Sequence, residues 1–189
     1  DNNLTIKHRA EILSLIMKSY KSIAVAGSHG KTSTSTLLTT LIDLCIKDTS
    51  SIVGGILPRY ESNALIKNSK YLVAEIDESD GSTCQYAPYL GIINNIDFDH
   101  CDYYSNIQEL ISSFNQFGSN SKILLTNEDC KITKTNITSN YRWSIRKRNY
   151  VDFAMIPKKF YPEYTIADYY EKGEAITTLT IPIPGIHNL

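Results

Sequence analysis

The sequence predicts an α/β fold, a mostly parallel sheet flanked by helices, on three observations. Short apolar runs at 22–26, 51–53, 70–76, 90–96 and 122–126 read as strands. Helical patterns separate several of them, notably at 32–46 and 106–117, and such alternation builds parallel sheets. Most of the strand runs are continuously apolar, as strands covered on both faces are.

Taken in order, residues 7–19 place Ala10, Leu13, Ile16 and Met17 on one helical face ahead of the first strand. The strand–helix body follows, and the Asn-, Thr- and Lys-rich stretch 127–140 reads as a surface connection. Near residue 140 the texture changes to the aromatic and alternating runs "YRWSI", "VDFAMI", "YTIADYY" and "ITTLTIPIP", with a turn at Lys172-Gly173. Residues 141–183 therefore read as a small antiparallel sheet appended to the body.

Composition narrows the function classes. A net charge of −1 supplies no bulk attraction to nucleic acid or to an anionic membrane. No apolar run approaches the roughly 20 residues needed to span a bilayer. Cys45, Cys84, Cys101 and Cys130 form no CxxC pair, which argues against a zinc ribbon or thioredoxin-type site and for free thiols in a reducing cytoplasm. The Asn-x-Thr matches at Asn3 and Asn136 are then chance. The polar start, without a secretory pattern or initiator methionine, reads as a piece of a longer chain.

The chemistry concentrates at the ends of strands. "SIAVAGSHGKTSTSTLL" has the outline of a strand, a phosphate-cradling turn and a helix, although Val25 stands where the usual phosphate loop has its first glycine. Backbone N–H groups of a glycine turn and a helix N-terminus suit phosphate oxygens, Lys31 adds a point charge, and Thr32 offers a hydroxyl to magnesium. A turn plus helix cap is the alternative reading of this stretch alone. "YLVAEIDESD" then delivers Glu75 at a strand end, with Asp77, Glu78 and Asp80 just beyond, where phosphate-loop enzymes hold magnesium. "LGIINNIDFDHCD" ends another strand in Asp97, Asp99, His100 and Asp102. Each stretch alone fits an acidic surface loop. Three such ends on one sheet edge, where open parallel sheets bind ligands, make a magnesium–nucleotide site the best reading.

"GSHGKT", "YLVAEIDESDGS", "NNIDFDH" and "PGIHNL", together with "RAEIL" at 9–13, resemble the Mur ligases in order and spacing. That family's shortened phosphate loop accounts for Val25. The resemblance covers nearly the whole chain but only the central ATP-binding domain of a three-domain enzyme. It implies a lead-in over 1–20, an α/β body over 21–140, and an appendage and exit over 141–189. A UDP-sugar domain before it and a further domain after it lie outside these residues.

The resemblance further implies that Gly27, Ser28, His29, Gly30, Lys31, Thr32 and Ser33 cradle the ATP phosphates. Lys31, Glu75 and His100 would be catalytic. Thr32, Glu75 and His100 would hold one or two magnesium ions, and His187 and Asn188 would begin the element that contacts adenine. Several members carry a carbamoylated lysine on the helix after the histidine. "NIQELISSFNQF" has none, which, with His29, matches the branch joining L-alanine to UDP-N-acetylmuramate.

For that branch the resemblance implies a cytoplasmic ligase of peptidoglycan precursor synthesis working through an acyl phosphate. These residues alone would be inactive. Open alternatives are a recycling ligase that joins an intact peptide to the same sugar nucleotide, a folylpolyglutamate-synthetase-like ligase, and a non-catalytic nucleotide-binding module. Nothing in the sequence assigns an oligomeric state.

Overall fold

Residues 6–46, 48–98 and 103–189 of the chain are described by a computed structural model. Helix α1 (Arg9–Met17) buries Ala10, Leu13 and Met17, and the His8 side chain caps it by accepting from the Ala10 amide. Ile16, expected on the same face, is 36% exposed.

The body then runs β1 (Lys21–Ala26), α2 (Lys31–Ile46), β2 (Ser50–Leu57), β3 (Ser62–Leu65), β4 (Tyr71–Glu75), β5 (Leu90–Ile93), α3 (Ile107–Asn120), β6 (Ile123–Asn127) and α4 (Lys131–Asn136). Strands β7 (Tyr141–Ser144), β8 (Phe153–Phe160), β9 (Thr165–Glu171) and β10 (Glu174–Ile181) complete it.

All of these strands form one 10-stranded sheet in the order β3-β2-β4-β1-β5-β6-β7-β8-β9-β10. From β2 to β8 the pairings are parallel. The antiparallel part is β8–β9–β10, with β3 antiparallel on the other edge. The appended strands thus continue the main sheet, and β7 joins it in parallel. Alternation in "YRWSI" specifies a strand but not the direction of its partner, which the connection through α4 decides. Helix α4 lies within the stretch read as a surface connection.

The core follows from the apolar runs. Ala24 and Ala26 of β1, Leu72 and Ala74 of β4 and Ile93 of β5 pack with α1 and with Leu110, Phe114 and Phe117 of α3 in one buried cluster. Asn106 caps α3 by accepting from the Glu109 amide.

Helix α2 is made differently. Its buried residues are Ser35 and Thr39, and the Thr39 and Thr40 hydroxyls donate to the carbonyls of Ser35 and Thr36. Hydroxyls that back-bond within the helix allow a Thr/Ser run of poor propensity to serve as the layer beside the sheet. Asp43 of α2 also accepts from Tyr60 Oη and from Lys67 Nζ, tying the helix to the β2–β3 hairpin.

Candidate functional site

Strand β1 is central, with β4 on one side and β5 on the other. Its neighbours in the sheet are not its neighbours in the chain, so the carboxyl end of β1 is a topological switch point, the place where open α/β sheets bind ligands. Gly27 to Gly30 leave β1 there and turn into α2. Gly27 has φ +135°, and a Cβ on it would meet Asn95 O at 2.9 Å, so the turn requires glycine on both counts. Gly30 also has positive φ, at +76°.

The turn is fastened to the end of β5. The Asn94 amide donates to Ala26 O and the Ser28 amide to Asn95 O. The Asn95 carboxamide takes both backbone groups of one residue, accepting from His29 N at 2.8 Å and donating to His29 O at 3.1 Å. Ser28 Oγ donates to Asp97 O and accepts from Asp97 N. Asn94 Nδ2 reaches Thr34 Oγ1 at 3.0 Å. The parallel ladder between β1 and β5 is thereby extended past both strands by side chains, which holds the loop in one shape.

On the β4 side, Glu75 accepts from Thr32 Oγ1 at 2.9 Å and from Gly54 N at 2.7 Å. Gly54 lets β2 come this close, because a Cβ there would lie 2.8 Å from Glu75 Oε1. Lys31 Nζ lies beside them, donating to Gly27 O at 2.7 Å and to Glu78 Oε1 at 3.0 Å.

One carboxylate and one hydroxyl oxygen in contact suit a hard cation that takes its remaining ligands from phosphate and water, as magnesium does. Among the described residues there is no cluster of three or more His, Cys, Asp or Glu side chains that would cage a metal without such help. The first amides of α2 lack intrahelical partners by construction and suit phosphate oxygens. A cavity of about 630 Å³ opens beside the loop, lined by His29, Gly30, Ser33, Leu37, Trp143 and Asn188 among others. The residues present fit the phosphate end of a magnesium nucleotide.

The Mur ligase middle domain family model matches residues 25–189. The chain belongs to the Mur ligase family. A UDP-N-acetylmuramate–L-alanine ligase from Prochlorococcus marinus subsp. pastoris is 58% identical over 188 residues, covering 100% of this chain and 40% of the relative. The chain therefore spans about two fifths of that relative's length. Among solved structures, the UDP-N-acetylmuramate–alanine ligase of Thermotoga maritima matches with a TM-score of 0.83 and 22% identity, over 95% of this chain and 40% of that one. The MurF ligase of Thermotoga maritima in complex with ADP matches with a TM-score of 0.69 and 16% identity, over 94% of this chain and 45% of that one. At these identities the two structures bear on the fold.

In this Mur ligase middle domain, Gly27 to Ser33 and Glu75 come together at one sheet edge, and Asn188 lines the adjoining cavity with its Nδ2 donating to Pro184 O at 2.6 Å. His100, Asp99 and Asp102 lie outside the described residues, as does the side chain of His187. Asp77 and Asp80 pair with Arg9 of α1 at 3.4 and 3.5 Å, and Asp77 and Arg9 line a small cavity together with Lys31, Gly54 and Glu75. Asp97 stands 3.9 Å from His29 Nε2, with both side chains more than half exposed.

Sequence reasoning passed over Asn94, Asn95 and Gly54 as site residues, and read Glu78 among the acids beyond the strand end without pairing it with Lys31. A Gly-Gly pair inside an apolar strand was the available signal for Gly54, since such a pair marks close backbone approach. The asparagines and Glu78 act through tertiary partners, which no local pattern reveals.

Proposed function

We propose that this chain is the central, ATP-binding domain of an amide ligase that joins L-alanine to UDP-N-acetylmuramate in peptidoglycan precursor synthesis in the cytoplasm. The observation that carries the proposal is the Thr32–Glu75 pair beside Lys31 at the switch point of the sheet. The substrates rest on the 58% identity to an L-alanine ligase across the whole chain. In this reading residues 1–20 lead in from a UDP-sugar domain, 21–140 form the nucleotide-binding body, and 141–189 lead out to a further domain.

The reaction joins two anions, a muramate carboxylate and the γ-phosphate of ATP. Lys31 and the amides of Gly27, Gly30 and Ser33 hold the phosphates and neutralise charge that develops on them, while the Ser28 and His29 amides are kept by Asn95 and shape the loop. Thr32 and Glu75 would hold magnesium and His100 a second ion, and bound metal would supply further neutralisation of charge on the phosphate oxygens. The carboxylate oxygen bonds to phosphorus as ADP leaves, giving an acyl phosphate. The alanine amine then bonds to the acyl carbon as phosphate leaves. His187 and Asn188 contact the adenine end.

The test is phosphate release by the full-length protein with ATP and magnesium. Release that needs both UDP-N-acetylmuramate and L-alanine supports the proposal. Release with an intact peptide in place of alanine identifies the recycling ligase, and no release with either identifies a non-catalytic module.

A further inference from the structure

The Lys31 ammonium already has partners inside the chain. An ammonium has three N–H donors. Nζ donates to Gly27 O at 2.7 Å and to Glu78 Oε1 at 3.0 Å, and lies 3.4 Å from Ser28 O. Glu78 Oε2, which makes no hydrogen bond of its own, sits 2.8 Å from the same nitrogen as an ion pair. The two side chains are only 17% and 12% exposed. Among the described residues Lys31 is the only cation in contact with Glu78. Strand-end carboxylate Glu75 is occupied separately by Thr32 and Gly54, so Glu78 is a buried acid that the proposed phosphoryl transfer does not use.

The loop carrying Glu78 is itself fixed. Gly81 N donates to Glu78 O. Asp77 accepts from the Ser79 amide and Asp80 from the Ser82 amide. Arg9 holds both aspartates from α1. The carboxylate is therefore presented to Lys31 by a braced loop, while the other main acceptor, Gly27 O, is backbone at the end of the central strand. Of the two, only the carboxylate can yield by side-chain rotation.

We propose that Glu78 is a counter-ion that competes with the terminal phosphate of the nucleotide for Lys31 and so sets the affinity of the phosphate loop. This rests on the reading of Lys31 as a phosphate ligand. Phosphate and carboxylate are both anionic acceptors for the same donors, and a Glu78 left facing phosphate is a like charge in a poorly solvated place. Either release or sharing of the ammonium weakens nucleotide binding relative to a neutral side chain at this position. Glu78 is thus a positioning residue, and its cost in affinity favours release of ADP.

The experiment is calorimetry of ADP with magnesium on the full-length protein and on Glu78→Gln, which keeps shape and one neutral acceptor. Charge-assisted hydrogen bonds are roughly twice as strong as neutral ones, so the variant is expected to bind about five- to tenfold more tightly. Unchanged or weaker binding by a folded variant overturns the proposal, as a purely structural Glu78 would give. Where Glu78→Gln does not fold, amide hydrogen exchange on the unaltered protein decides. Faster exchange at 77–81 on adding magnesium ADP supports the displacement, and unchanged exchange contradicts it. Lys31→Ala run in parallel separates the two levels: wild-type ADP affinity there removes the phosphate-site reading itself.

Discussion

Replacing Asn95 by aspartate tests whether the side-chain bridge between β5 and the phosphate loop shapes the site. The carboxamide makes two hydrogen bonds to the backbone of His29, at 2.8 and 3.1 Å. Aspartate can keep the first. In the second, an oxygen replaces Nδ2 and faces the His29 carbonyl, so a donor–acceptor pair becomes two acceptors. A lost hydrogen bond is worth about 1 kcal/mol, and leaving both acceptors short of a donor adds a similar amount, giving roughly 1–2 kcal/mol. Asn94 Nδ2, 3.4 Å from the same carbonyl, recovers little at that distance. Spent on the loop, this weakens magnesium ADP by about five- to thirtyfold in calorimetry. Expressed in the fold, it lowers the melting temperature by roughly 2–8 °C for a chain of this size. Asn95→Ala removes both bonds without adding charge and controls for repulsion between the new carboxylate and phosphate. Wild-type ADP affinity in Asn95→Ala would refute the bracing role, whatever the aspartate variant does.

Further outcomes follow from the same geometry. Lys31→Ala is expected to slow ligation by about two to three orders of magnitude, by analogy with loss of one preorganised electrostatic contact, and to lower the melting temperature because Glu78 loses its cation; a melting curve beside the rate assay checks both. Glu75→Gln keeps the acceptor for Gly54 N but removes the charge a hard cation requires, so the magnesium concentration for half-maximal rate rises; lost stability with unchanged magnesium dependence would make Glu75 structural. Asp43 is held down to about 2 from an ordinary 3.8, first by the Lys67 hydrogen bond and then by that of Tyr60. A depressed carboxylate stabilises the fold above its unfolded value and loses that stability as pH falls through the folded one. Asp43→Asn should therefore flatten the acid-unfolding profile between about pH 4 and 2, by about 1 kcal/mol once solvent screening at the half-buried Lys67 is allowed for.

The parts of the fold legible in the sequence are those whose signal is local. β1, β4, β5 and β6 are apolar runs buried by helices, and α3 carries its own cap and period. β3, "SNAL", has no such run and exists because it pairs with the edge of β2. α4, "KITKTN", has a single apolar residue, Ile132, packed against the core, and is tied in by the Thr133 hydroxyl, which donates to the carbonyls of Asn127 and Cys130.

The site divides in the same way. Lys31, Thr32 and Glu75 announce themselves by residue type at a strand end. Gly54, Glu78 and Asn95 act on partners 21, 47 and 66 residues away. Their roles are backbone hydrogen bonds and a counter-ion, which leave no periodicity.

Whether the β1–α2 turn with Glu75 grips the phosphate end of a magnesium nucleotide is decided by a crystal structure of the full-length protein with magnesium and a non-hydrolysable ATP analogue. The terminal phosphate is expected within about 3 Å of Lys31 Nζ, with metal bound by Thr32 Oγ1 on the Glu75 side. A nucleotide bound with its phosphates away from Lys31 and the first turn of α2 would contradict it.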